Sequence, residues 1–100
     1  MSMRKYYSDY VRHCTRYYFY QEKAPSAISD RVSYNNYAAV SNVLGKNPPE
    51  VVGMIRMLYQ ADSMVQAVED YSKISNIKIP VIWHTVQNYE KEVAIERGLI

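Results

Sequence analysis

Among 100 residues the chain has one cysteine, three glycines and four prolines, so it is poor in the residues that staple, bend or break a backbone. A lone Cys14 excludes an internal disulfide, and a reducing cytoplasm is its expected setting. With His13 and His84 it offers no metal-ligand spacing, so no metal site is expected. His13 and Cys14 are chain neighbours and project about 100° apart on a helix, which does not suit a paired nucleophile and base. Cys14 reads instead as a small core residue. No Ser-His-Asp arrangement, glycine-rich phosphate loop or pocketed carboxylate pair is evident, so neither catalysis nor a cofactor is expected. No apolar run approaches the roughly 20 residues of a membrane span. The opening Met1-Ser2-Met3-Arg4-Lys5 also lacks the apolar stretch of an export signal.

Nearly half the residues are hydrophobic (48%) and 22% are charged, the balance of a folded globule rather than a disordered chain. One hundred residues form one domain with a modest core. The net charge of +2 excludes little, but its distribution is uneven. Residues 1–23 carry Arg4, Lys5, Arg12, Arg16 and Lys23 against Asp9 and Glu22, a net +3. Residues 62–100 carry Lys73, Lys78, Lys91 and Arg97 against Asp62, Glu69, Asp70, Glu90, Glu92 and Glu96, a net −2.

Hydrophobic periodicity predicts five helices. In the first, over 3–21, Tyr6, Tyr7, Tyr10, Val11, Cys14, Tyr17 and Tyr18 gather within an arc of roughly 140°. Lys5, Arg12, Arg16 and Phe19 fall on the other side. The tyrosines read as a buried face; the alternative is a stacking surface for single-stranded nucleic acid. Residues 22–29, with Pro25, form a linker. Asp30 is the N-cap of a second helix that ends near Leu44, with Gly45 as its stop. Its buried side is Val32, Tyr37, Val40, Val43 and Leu44, and Tyr34 and Asn35 face solvent. Asn47-Pro48-Pro49-Glu50 has the spacing of a capping box opening a third helix. Residues 51–59 are apolar almost all round, which places that helix in the centre of the bundle. Gly53 costs it about 1 kcal/mol of propensity and would be kept for a close helix approach. Ser63 and Gln66 open a fourth helix, with Met64, Ala67, Val68 and Tyr71 inward and Ile74 at the edge. The pattern breaks over 75–79, and Pro80 suits the first turn of a fifth helix reaching Arg97.

The fifth helix is the most informative. Ile82, Val86, Tyr89 and Val93 fall on one side, with Trp83 at the flank packing on the bundle. His84, Gln87, Asn88 and Lys91 fall opposite. A core stripe backed by an amide-rich outer face is what a groove-reading helix requires. Gln87 and Asn88 have the groups for a bidentate contact to adenine, Thr85 for a thymine methyl or a phosphate, and His84 for a phosphate. Lys78 and Lys91 suit backbone contacts, and a helix N-terminus favours an anion. The competing account is an ordinary solvated face. Glu90, Glu92 and Glu96 are expected on the flanks, where they repel DNA at long range. Arg4, Lys5, Arg12 and Arg16, or a second copy of the chain, would then supply auxiliary backbone contacts.

Ala67-Val68-Glu69-Asp70-Tyr71, Ile77 and Val81-Ile82-Trp83 resemble the helix-turn-helix of sigma factor region four. The ends of the chain, Tyr6 to Cys14 and Arg97-Gly98-Leu99-Ile100, are similar to small sigma-like regulators of low-GC Gram-positive bacteria and their phages. The resemblance implies an all-α bundle of about five helices, in which 1–61 form a three-helix support and 62–100 a C-terminal helix-turn-helix. It also implies a cytoplasmic, DNA-binding or transcription-associated regulator reading through the helix 80–97. The alternative is a module that docks on RNA polymerase or another regulator without touching DNA. Asn76 stands where such turns often carry glycine, and the stretch 71–77 reads about one turn longer than their short connection.

Overall fold

The computed structural model describes residues 5–100, which form five α-helices: α1 Ser8–Lys23, α2 Arg31–Lys46, α3 Pro49–Gln60, α4 Met64–Ser75 and α5 Ile79–Arg97. No strand occurs among the described residues, and the expected all-α bundle is observed.

Several helix ends follow from local chemistry. The Asp30 carboxylate accepts the Ser33 N–H at 2.8 Å, and those hydrogen bonds hold its carboxyl below the ordinary range. The Ser63 hydroxyl accepts the Gln66 N–H at 3.2 Å, but the Gln66 amide turns forward to Asp70 at 3.0 Å, so half of the expected capping box forms. At Asn47 the expectation fails. Helix α3 starts at Pro49 behind an extended Pro48, which leaves Asn47 one residue too early to cap it. Its side-chain amide instead donates back to the Val43 carbonyl at 2.8 Å. Asn47 thus closes α2, which runs through Gly45 to Lys46 rather than stopping at the glycine.

Helices α1 and α5 occupy the middle: α1 packs on α2, α3 and α5, and α5 packs on α1, α2 and α4. Because α1 is covered from both the α2 and the α3 side, its buried arc is wider than a single stripe. Phe19, expected beside the basic residues, is therefore 1% exposed, with the Arg56 guanidinium of α3 lying 4.9 Å above its ring. Tyr6, expected in the stripe, is 80% exposed. Val32, in the first turn of α2, also stays exposed.

Helix α3 is not central. It packs on α1 and α4 and buries one face, Met54, Ile55, Leu58 and Tyr59, leaving Arg56, Met57 and Gln60 exposed. A Cβ added at Gly53 would meet nothing within 4 Å, so no neighbouring helix needs that glycine. The core continues through Met64, Ala67 and Val68 of α4 to Ile82, Val86, Tyr89 and Val93 of α5.

Residues 76–78 join α4 to α5. The connection is not a turn too long, because α4 continues to Ser75 and takes up the surplus. Asn76 then adopts the left-handed conformation (φ 63°), which asparagine tolerates better than most residues, and its N–H caps the Ser72 carbonyl. Two serines fasten the corner. Ser72 donates to the Ile77 carbonyl at 2.6 Å, and Ser75 donates to Tyr71 at 2.7 Å while accepting the Ile77 N–H at 3.2 Å.

Candidate nucleic-acid interface

The four expected core positions of α5 are buried, and Trp83 packs against them half-buried. On the opposite arc His84, Asn88 and Lys91 are exposed, together with Val81 and Ile95. Gln87 and Thr85 lie half-buried at the two margins of that arc. The Thr85 hydroxyl donates to the Val81 carbonyl at 3.1 Å, so its proton is already used within the helix. Lys78 is exposed at the N-cap. The helix N-terminus offers an anion less than its position suggests. Pro80 has no N–H, and the Val81 and Ile82 N–H groups both turn back to the Lys78 carbonyl at 3.0 and 3.1 Å.

Of the α5 glutamates expected on the flanks, Glu92 and Glu96 are exposed beside α2, and Glu90 departs from expectation. Glu90 is not on an open flank: it is 6% exposed and accepts the Tyr59 hydroxyl at 2.6 Å. Burial, followed by the Glu90 charge, pushes the Tyr59 hydroxyl well above its ordinary range, so it remains a donor. Glu92 accepts the Asn47 amide at 3.3 Å. Glu96 accepts the Asn42 amide at 3.1 Å and pairs with the Lys46 ammonium at 3.5 Å. The cause is the packing of α2 along α5, which sets amide and ammonium donors beside the two outer carboxylates.

The auxiliary cations are not gathered with the α5 face. Arg4 lies outside the described residues. Lys5 is exposed just before α1, where its backbone N–H donates to the Ser8 hydroxyl at 3.1 Å. Arg16 reaches across to the end of α3, its Nε donating to the Tyr59 carbonyl at 3.0 Å and its Nη2 to the Ala61 carbonyl at 2.9 Å. It satisfies carbonyls that a helix end leaves open. Arg12 is half-buried, with Nη2 3.8 Å from the Met64 sulfur.

Three polar junctions escaped the sequence reading. Besides Tyr59 with Glu90, the Thr15 and Tyr89 hydroxyls meet at 2.7 Å. Buried Asn36 accepts both Tyr10 OH at 3.0 Å and Arg97 Nε at 2.6 Å. Helical phase could have shown Glu90 beside the stripe, but its partner lies 31 positions away and leaves no local pattern. Cys14 is buried in the same core, and burial pushes its thiol up to about 11, where it is unreactive at neutral pH. Among the described residues no group of three His, Cys, Asp or Glu could hold a metal ion, and no helix is long and apolar enough to cross a membrane.

Comparison with family models, with characterised proteins and with solved structures returned no match.

Proposed function

We propose that the chain is a DNA-binding regulator in a reducing, cytoplasmic setting, and that α4 and α5 act as a helix-turn-helix with α5 in the major groove. One observation carries the reading. The exposed arc of α5 holds His84, Asn88 and Lys91, while Glu90, Glu92 and Glu96 are held by Tyr59 and by donors of α2. The Lys46 ammonium offsets the Glu96 charge, and no carboxylate stands at the centre of the exposed arc. The three-residue connection fits the unit, as does the likeness to sigma region four. In this reading Asn88 pairs with an adenine edge, and Gln87 adds a second contact from the margin. Thr85 turns its methyl toward thymine, and Lys78, His84 and Lys91 contact phosphates. Of the auxiliary cations, Arg16 is engaged in packing on the end of α3.

About two to three neutralised phosphates per copy correspond to a slope of log K on log salt of roughly −2 to −3. Fluorescence anisotropy against random-sequence duplex pools tests this at low ionic strength. Absence of any salt-dependent duplex binding would sink the reading. A slope near twice that value would indicate that two copies bind together.

A second reading has its own observation: Ile74, Ile77, Ile79 and Val81 are exposed around the α4–α5 corner. Such a patch suits docking on RNA polymerase or another regulatory protein. Capture of a protein partner that tolerates Lys78→Ala and Gln87→Ala but is lost with Ile74→Ser would favour docking over DNA contact.

A further inference from the structure

Helix α1 bears a second surface that the duplex reading does not use. Asp9, Arg12, His13, Arg16, Tyr17 and Tyr20 line an open concavity of about 480 Å³ along one side of the helix. Arg12 and Arg16 stand one helical turn apart on α1. Arg12 is under-satisfied: its Nε is buried with no hydrogen-bond partner among the described residues, and its Nη2 meets only a thioether. Buried donors without acceptors are rare in folded proteins, so the Arg12 guanidinium is left with unused hydrogen-bonding capacity. Arg16 is held in place by the Tyr59 and Ala61 carbonyls, which engage Nε and Nη2 and leave its Nη1 outside those bonds. Two guanidiniums bordering one concavity offer the donor chemistry that the oxygens of a phosphate take.

The rings decide among anions. Tyr20 is 62% exposed, and half-buried Tyr17 is positioned through its hydroxyl, which accepts the Gln21 amide at 3.0 Å. Aromatic faces beside cations are what nucleobases stack on. An acidic peptide would use the arginines and leave the rings idle. The geometry points to a nucleoside-monophosphate site on α1, with the phosphate on Arg12 and Arg16 and the base against Tyr17 and Tyr20. The same unit is available as a free nucleotide or as one residue of a single strand.

The test follows the arginine Nε–H signals of the full chain by NMR during titration with AMP, ribose 5-phosphate and a short oligodeoxyadenylate. AMP is expected to move the Arg12 and Arg16 signals and to bind at least about fivefold more tightly than ribose 5-phosphate. Tyr20→Ala, at an exposed position, should remove that advantage and leave ribose 5-phosphate binding unchanged. Much tighter binding of the oligonucleotide would identify a single strand as the source; equal binding per site would identify the free nucleotide. The proposal is overturned if millimolar AMP leaves both arginine signals in place, or if AMP and ribose 5-phosphate bind alike. It is also overturned if a glutamate-rich peptide competes as well as AMP does. Asn88→Ala should not change AMP affinity, so failure of this site and failure of the duplex reading are separable.

Discussion

Helices α1 and α5 are the two central elements, and they use charge in opposite ways. The N-terminal segment is the basic one, yet Arg16 is turned to the end of α3 and Arg12 lies half-buried against Met64. The C-terminal segment is the acidic one, yet Glu90 is buried on Tyr59, and Glu92 and Glu96 are met by donors from α2. Each helix thus engages charged groups with its neighbours, one of them buried (Glu90), while Arg16, Glu92 and Glu96 stay exposed. Net charge by segment misses an ion pair made across segments: Glu96 is met by the Lys46 ammonium of α2.

The comparison is broken most directly at Tyr59. Tyr59→Phe leaves the Glu90 carboxylate without its buried donor and is expected to cost about 2–3 kcal/mol in urea unfolding. Glu90→Gln, which keeps an acceptor in place, should cost less. Under the duplex reading, Asn88→Ala should weaken binding to a preferred sequence by about 1–3 kcal/mol with little effect on non-specific duplexes, as measured by anisotropy. Lys91→Ala should instead weaken binding to all duplexes and make the salt slope shallower by about 1. Arg16→Ala separates packing from DNA contact. It is expected to lose about 1 kcal/mol of stability by denaturation and to leave the salt slope where it was. A shallower slope would return Arg16 to the DNA-contacting set. Smallest is Gly53→Ala on exposed α3, a gain of about 0.5–1 kcal/mol in thermal or urea unfolding, since the added methyl meets nothing.

Features with a local cause could be read before any coordinates. Asp30, Ser63 and Pro80 mark helix starts because capping and the fixed proline φ act within three or four residues. The buried stripe of α5 and its exposed His84, Asn88 and Lys91 follow from helical period alone, though period identifies a face and not what meets it. The rest depended on partners distant in sequence. Asn47 can close the helix before it or open the one after it, and only the actual start of α3 at Pro49 decides. Phe19 looked outward because a single stripe was assumed for a helix that has neighbours on two sides. Gly53 looked reserved for packing because an apolar run suggested a central position. The apparent surplus between Tyr71 and Ile77 vanished once Asn76 took the left-handed turn after a longer α4.

Tyr59 gathers three helices at one point: its carbonyl receives Arg16 of α1, its ring stacks edge-on to Tyr89 of α5, and its hydroxyl holds Glu90. A division of labour between 1–61 and 62–100 is thus not a division of folding. Lifting α5 away by itself would break the Tyr59–Glu90 and Thr15–Tyr89 hydrogen bonds and expose the stripe packed on α1 and α2, so such opening is costly. Amide exchange in the middle of α5 should accordingly track that of α1, both following the global unfolding equilibrium. The outer face of α5 would then meet a partner as a rigid surface, with little ordering left to occur on contact.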